Sequence, residues 1–392
     1  MSQTLLRPKI NRNPLIISLL LLIAGAYYLS QTVNNSQAAL FIVGGLLGVS
    51  LYFASFGFTQ AWRIFVSSRK SGGLRAQMIM LAIGVILFFP FLNQGFVFGK
   101  PVVGNIEPIS LSVLVGAFLF GVGMQLGGGC ASGTLFAVGG GNTRMIITLI
   151  FFIIGSVLGA YTFSSWSAWP GFQPFSEIQG WGLWPALLVN LILFALIYFG
   201  ASVLEKKRHG KIQSINHVEN NKESLIHGPW PLVWGAIALV ILNFATLALA
   251  GKPWGVTSAF AVWGAKILYS TGVDVTQWAY FSKHPEVITN SVTKNVTSIM
   301  DFGIIIGAII AASTSGKFAP VWHINKLAIF TAIVGGLLLG FGARLSYGCN
   351  IGSYFSAIIS GSVHGWLWLI SAFLGSYLGV YIRPFFGMAV EK

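Results

Sequence analysis

Two cysteines, Cys130 and Cys349, are the residues of this chain best placed to do chemistry, because each sits in a glycine-rich block and the two blocks match. Residues 116–136 read GAFLFGVGMQLGGGCASGTLF, and residues 335–355 read GGLLLGFGARLSYGCNIGSYF. At a constant offset of 219 residues they agree at 9 of 21 positions, with Gly129 opposite Gly348, Gly133 opposite Gly352, and the cysteines opposite each other. After one inserted residue the match resumes, as GSVLGAY at 155–161 meets GSYLGVY at 375–381. One unit is used twice. A thiol is a weak donor that contacts sulfur well, whereas a thiolate repels an anion. The unpaired N–H groups at the start of a helix carry roughly half a positive charge and favour anions. A cysteine is more often a small buried hydrophobe. Pairing across a repeat points instead to a soft or sulfur-bearing anion passed between Cys130 and Cys349.

Such a turn needs particular elements to hold it. Gly costs about 1 kcal/mol relative to Ala inside a helix, so Gly127-Gly128-Gly129 is expected to break one. In lipid a broken backbone survives only where it is buried in protein or lines a cavity. Each block is therefore expected to be a helix, an unwound turn carrying the cysteine, and a second short helix. Arg344 stands five residues before Cys349, where the first block has Gln125. An ionisable group at that depth costs several kcal/mol unless it faces a cavity or a partner. It either draws anions to the site or snorkels to the cytoplasmic surface. Glu107, before Pro108, and Asp301, near the start of a span, read as helix-end groups. His209, His217 and His227 fall in one hydrophilic segment and His284, His323 and His364 are scattered, so no metal set forms with the cysteines. No metal or other cofactor is implied.

Composition sets the class. Charged residues make up 8% of the chain, against about 25% in a soluble globular domain. An all-α polytopic membrane protein is expected. An apolar run at 14–28 behind Arg7, Lys9 and Arg12 reads as a first membrane helix with its basic end inside. Further spans are expected near 39–56, 76–93, 145–163, 184–204, 230–250, 299–315 and 366–382, each near the roughly 20 residues that cross a hydrocarbon core. In FGFTQAWRIFVSSRKSGGLR a shorter apolar piece ends in Arg63, Arg69, Lys70 and Arg75, a loop expected on the cytoplasmic side. Residues 205–228, with Lys206, Lys207, Arg208 and Lys211, read as a basic cytoplasmic linker between a membrane half at 1–204, made of the first helix and repeat 1, and a second at 229–392. Counting spans with the N-terminus inside makes the two blocks cross in opposite senses, returns the C-terminus inside, and leaves 251–298 on the outer side. That is an inverted-topology repeat, with glycine-rich broken helices meeting at the midplane, where such folds hold their substrate. The net charge of +14 fits a basic cytoplasmic face against anionic lipid.

GMQLGGGCASGTL at 123–135, GFGARLSYGCNIGSYF at 340–355 and WGVTSAFAVWGAKIL at 254–268 resemble signature segments of the YeeE/YedE sulfur-transport family, bacterial inner-membrane proteins that include thiosulfate importers. The resemblance covers nearly the whole chain outside the first helix and the linker. It implies an hourglass of helices with two inverted halves, short half-helices plugging the centre, and thiosulfate handed along cysteines as neutral thiols. It makes Cys130 and Cys349 relay residues, with Gly128, Gly129, Gly133, Gly348 and Gly352 forming the turns around them, and implies a small TusA-like sulfur-carrier protein as cytoplasmic partner. There is one departure. Importers of this family carry a third cysteine in the segment that SFGFTQAWR resembles, where this chain has Gly57. A selenium-linked branch of the family has a similar second block, so selenium compounds stay open as substrates. Thr59, Trp62 and Arg63 either line an entrance or cap a half-helix. A membrane-embedded sulfurtransferase or thiol oxidoreductase is the reading from another class. It rests on the two thiols alone, since no nucleotide-binding loop, His/Asp pair or C-x-x-C is present. A copper pathway would want clustered methionines, and the seven here are dispersed.

Overall fold

The computed structural model describes residues 10–215, 222–320 and 322–390, so Arg7, Lys9, His217 and Lys392 lie outside the described residues. The first part of the chain forms α1 (Arg12–Thr32), α2 (Asn35–Ala54), the short α3 (Phe58–Ser68), α4 (Gly72–Gln94), α5 (Leu111–Gly127), α6 (Ala131–Gly139) and α7 (Thr143–Tyr161). The single turns α8 (Phe163–Trp166) and α9 (Glu177–Trp181) lead into α10 (Leu183–His209). Then come α11 (Lys222–His227), α12 (Leu232–Ala250), α13 (Thr257–Ser270), α14 (Glu286–Thr289), α15 (Val296–Thr314), α16 (Lys326–Leu345) and α17 (Val363–Ile382). Two antiparallel strand pairs, β1 (Phe96–Val97) with β2 (Lys100–Pro101) and β3 (Ile109–Ser110) with β4 (Gly171–Phe172), tie loops together. Among the described residues, ten helical segments are long and apolar enough to cross a membrane. The chain is an all-α multi-pass membrane protein.

The two cysteine blocks form the centre, and they run antiparallel. Gly116 of α5 lies against Gly342 and Leu345 of α16, and Gly127 of α5 against Gly335. Around this pair the contacts repeat. Helix α5 packs on α17 as α16 packs on α7, α2 packs on α15 as α12 packs on α4, and α10 packs on α4 as α1 packs on α15.

Helices surrounded by lipid gain little from hydrophobic burial against one another, so association depends on close backbone approach through small residues. Equivalent glycines supply it here. A Cβ on Gly121 would strike the Ala372 carbonyl oxygen, and one on Gly340 would strike that of Phe152. The positions 372 and 152 are themselves equivalent by the 220-residue offset that relates the helices after the cysteines. The glycine repeat visible in the sequence thus sets the distance between both central helix pairs.

Residues 205–215, the first part of the expected linker, pack against the membrane helices. The first of these residues finish α10, and Glu205 is fully buried, 3.5 Å from the Arg75 guanidinium. Glu205 also accepts from the Ser71 N–H at 3.2 Å and the Gln213 N–H at 3.3 Å, while Arg75 donates to the Gln213 carbonyl. His209 bonds the Ser68 carbonyl at 2.7 Å. The chain after α10 is therefore strapped to the start of α4. The Glu205 carboxylate is held inside by a cation and two N–H donors.

Candidate functional site

The breaks fall where glycine places them. Helix α5 stops at Gly127, and Gly128 (φ 93°) adopts the left-handed conformation that turns the chain. Cys130 then opens α6, its Sγ accepting from the Gly133 N–H at 3.4 Å. Thr134 closes the turn by donating to the Cys130 carbonyl at 2.8 Å. Helix α16 stops at Leu345, Tyr347 takes the left-handed conformation (φ 61°), and Cys349 opens a wider, π-helical turn over Asn350–Ser356. There Cys349 Sγ accepts from the Ile351 N–H at 3.4 Å. Ser353 Oγ donates to the Ser346 carbonyl at 2.8 Å, and Trp368 Nε1 to Ser346 Oγ at 3.0 Å. Each sulfur thus occupies the capping position of its short helical segment. Both cysteines are buried and free, and α6 touches the π-helical turn. Cys349 lies within electrostatic range of Cys130 and Asp301.

A cavity of about 290 Å³ reaches the turn that carries Cys349. Its neighbours Gly348 and Gly352 line this cavity together with Arg344, Lys252, Glu107, Tyr280 and Tyr347. Gly352 would meet nothing within 4 Å if it carried a Cβ, so its lack of a side chain keeps the passage open. Gly348 differs, since a Cβ there would lie 2.6 Å from Ser353 Oγ. Gly129 is crowded in the same way by Gly133 and Met145, and Gly133 would place a Cβ 3.4 Å from Cys130 Sγ.

Arg344 is 4% exposed and does not snorkel. Its Nη1 donates to Tyr280 OH at 2.6 Å, its guanidinium lies 5.9 Å from the Tyr280 ring centre, and Nε and Nη2 have no protein partner. A buried guanidinium with two idle donors on a cavity wall is an anion-seeking group. Gln125, its counterpart in the first block, plays a different part. Its Nε2 donates to Ser376 Oγ at 2.7 Å and the Thr59 carbonyl at 3.1 Å, tying α5 to α17 and α3.

A second cavity of about 290 Å³ lies at the start of α3 and α4, lined by Gly57, Gln60, Lys70, Gln77 and the strapped residues Gln213, Ser214 and Ile215. Gln77 links it to the second block, since its Oε1 accepts from Trp62 Nε1 at 3.0 Å and from Tyr354 OH at 3.4 Å. Tyr354 in turn stacks on Trp368. Of the entrance residues expected nearby, Trp62 and Thr59 are buried rather than on the cavity wall.

Sequence reasoning misplaced two carboxylates. Glu107 does not cap α5, because Ser110 does, and instead shares a cavity with Arg344. Asp301 does not cap α15, because Asn295 does, and is fully buried with neither oxygen hydrogen-bonded. Asn350, beside Cys349, is likewise buried with both amide atoms unpartnered. No periodicity in the sequence marks these three. Among the described residues no group of His, Cys, Asp or Glu could hold a metal ion.

Comparison with known proteins gives a consistent answer. A family profile described as sulphur transport matches residues 53–378. The thiosulfate transporter TsuA of Spirochaeta thermophila is 28% identical over 364 residues, covering 87% of this chain and 97% of that protein. TsuA of Escherichia coli is 22% identical over 88% of this chain and 94% of that protein. A protein named as the probable transporter YedE of Escherichia coli is 32% identical, but over only 41% of this chain and 40% of its own length.

Proposed function

The chain belongs to the sulphur-transport family, and from that premise we propose that it carries thiosulfate or a closely related sulfur anion across the bacterial inner membrane, with Cys130 and Cys349 as relay thiols. One observation carries the reading. Gly348 and Gly352, on either side of Cys349, line a cavity that also holds a buried arginine with idle donors, and the matching turn that Cys130 opens touches the one that Cys349 opens. A bare cation would hold any small anion. A thiol behind it favours one that presents sulfur, because sulfur–sulfur contact is soft and polarisable. The anion is attracted by Arg344 and Lys252, meets Cys349 past Gly348 and Gly352, and passes to Cys130. Gly128, Gly129 and Gly133 keep the second turn tight, and Gln125 holds α5 in place beneath it.

Charge supports an orientation. Asn11, before α1, donates its N–H to the Ser313 carbonyl at the end of α15, and His227 bonds the neighbouring Thr314 carbonyl, so the start of α1 and the linker share one face. That face carries Arg12, Arg69, Lys70 and the Lys206, Lys207, Arg208 and Lys211 cluster, which favours the cytoplasm. The Arg344 cavity then opens outside and the Gly57 cavity inside. The inner mouth with its lysines suits an acidic partner, the TusA-like sulfur carrier that the family resemblance implies. The membrane halves expected at 1–204 and 229–392 shift in this reading, because α10 packs on α4 as α1 packs on α15 and so opens the second repeat, with residues 210–215 after it strapped to the start of α4.

Uptake of radiolabelled thiosulfate into proteoliposomes holding only this protein tests the proposal, with sulfate, selenite and selenate as competitors and Cys130→Ala as control. Thiosulfate uptake abolished by the substitution supports it. A competition order led by a selenium anion moves the substrate, and no uptake of any anion by folded protein overturns the reading.

A further inference from the structure

We propose that Glu107 is a proton-controlled filter on the Arg344 cavity, admitting anions when protonated and opposing them when ionised. This rests on the reading of the cavity as the anion's entrance. Glu107 lies in the loop between α4 and α5, outside the membrane-spanning helices, and lines the same cavity as Arg344. The titratable groups that share the cavity are Arg344 from α16, Tyr347 from the turn after it, Lys252 from the loop between α12 and α13, and Tyr280 from the loop before α14. Tyr347 lies within electrostatic range of Glu107.

The geometry leaves the carboxyl without an ion pair among the described residues. Arg344, which lines the same cavity, gives its Nη1 to Tyr280 and keeps Nε and Nη2 idle. Those donors are open to an incoming anion, and an ionised Glu107 in the same cavity opposes that anion through its own charge. Burial pushes the Glu107 carboxyl up to about 7. The charge therefore changes in the range where cells live. Below that value the cavity holds two cations and a neutral acid that can donate a hydrogen bond. Above it a negative charge joins the wall, and the field that draws anions is partly cancelled.

The sign is fixed by linkage. If the anion binds only the protonated form, its Kd is nearly constant at low pH and weakens about tenfold between pH 6 and pH 8, with uptake of about one proton per anion at pH 8. Calorimetry on purified protein reads both quantities, using thiosulfate, sulfate and iodide as separate titrants at pH 6, 7 and 8 in two buffers of different ionisation enthalpy. The proposal expects the tenfold weakening and the proton uptake for whichever titrant binds. Glu107→Gln should bind with the affinity the wild type shows at pH 6, at every pH and without proton uptake. Should that variant fail to fold, proton uptake by the wild type still decides the matter. Binding that ignores pH, a variant that keeps the wild-type dependence, or no binding of any titrant overturns the filter. Binding of sulfate or iodide with the expected dependence, but none of thiosulfate, keeps the filter and overturns the substrate.

Discussion

Tyr347 holds, in the second block, the left-handed backbone position that Gly128 holds in the first. The two are 219 residues apart, with φ of 61° and 93°. The repeat needs that conformation to turn the chain into each cysteine, and glycine adopts it without cost. A side chain there costs about 1–2 kcal/mol, so Tyr347 is a strained residue at the lip of the Arg344 cavity, its ring 5.9 Å from that of Trp166.

The asymmetry makes opposite substitutions informative. Gly128→Ala should destabilise the protein by about 1–2 kcal/mol from the backbone alone, and by more because its Cβ would lie 2.8 Å from Arg144 Nη1. Arg144 cannot easily yield, since it donates to the Leu126 carbonyl at 2.7 Å and Thr331 at 3.1 Å. Tyr347→Gly relieves strain and loses ring contacts, so its stability should stay within about 1 kcal/mol of the wild type. Thermal unfolding of the two variants in detergent checks the contrast, and equal losses would show that the left-handed turn is not what Gly128 supplies.

The thiols are tested by near-isosteric change. Cys130→Ser and Cys349→Ser keep the capping geometry, since each sulfur accepts one backbone N–H at 3.4 Å that a hydroxyl can also satisfy. Folding should therefore survive. Thiosulfate uptake should fall at least tenfold in either variant, a loss of about 1.4 kcal/mol or more in the path. A double variant that transports at the wild-type rate would remove the relay and leave the cysteines as packing residues.

What the sequence made legible was what recurs. The doubled glycines, the opposed cysteines and the antiparallel sense of the blocks were readable because a repeat shows up as identity at a fixed spacing. Most of the expected spans were readable because hydropathy is a sum over a long window. Glu107, Asp301 and Asn350 were not, because each is a single polar residue whose meaning depends on which distant helix faces it. Glu205 is illegible for the same reason. It sits beside Lys206, Lys207 and Arg208, and its place inside depends on Arg75 from α4, 130 residues earlier, and on the Ser71 and Gln213 N–H groups.

Arg344 should act on affinity rather than turnover. Arg344→Gln, which copies Gln125 of the first block, removes the idle donors from the cavity wall without adding bulk. Uptake should become weaker chiefly at low thiosulfate, with KM raised about tenfold, the scale of one charge-assisted contact, and the maximal rate nearly kept. Initial rates over a concentration series separate the two, and an unchanged KM would mean that Arg344 serves only to hold Tyr280.

The strap depends on a buried ion pair. Glu205→Ala leaves the Arg75 guanidinium inside without its carboxylate, and breaking such a pair costs about 3–5 kcal/mol. It also frees the Ser71 and Gln213 N–H groups that Glu205 accepts from. The variant should unfold at lower temperature and be cut faster by trypsin at Lys211, which follows the pair on the strap. Trypsin resistance equal to that of the wild type would show that residues 210–215 are held by other contacts.

Gly57 offers the clearest test of the path's far end. It precedes α3 on the wall of the second cavity, with φ of −104° that any residue adopts, and a Cβ there would meet nothing closer than 3.6 Å. Gly57→Cys should thus fold with stability within about 0.5 kcal/mol of the wild type, as expected of a substitution that creates neither strain nor overlap. In a Cys130→Ser, Cys349→Ser background it would be the only thiol in the protein. A membrane-impermeant maleimide should label it from the face that carries Lys70 and Lys206 and not from the opposite one, and the strap over the cavity should make labelling slower than at an open surface site. Adding Glu205→Ala, which loosens the strap, should speed the reaction. Labelling from the opposite face would invert the orientation argued from the basic residues, while labelling unaffected by Glu205→Ala would mean that the cavity opens to water by a route the strap does not cover.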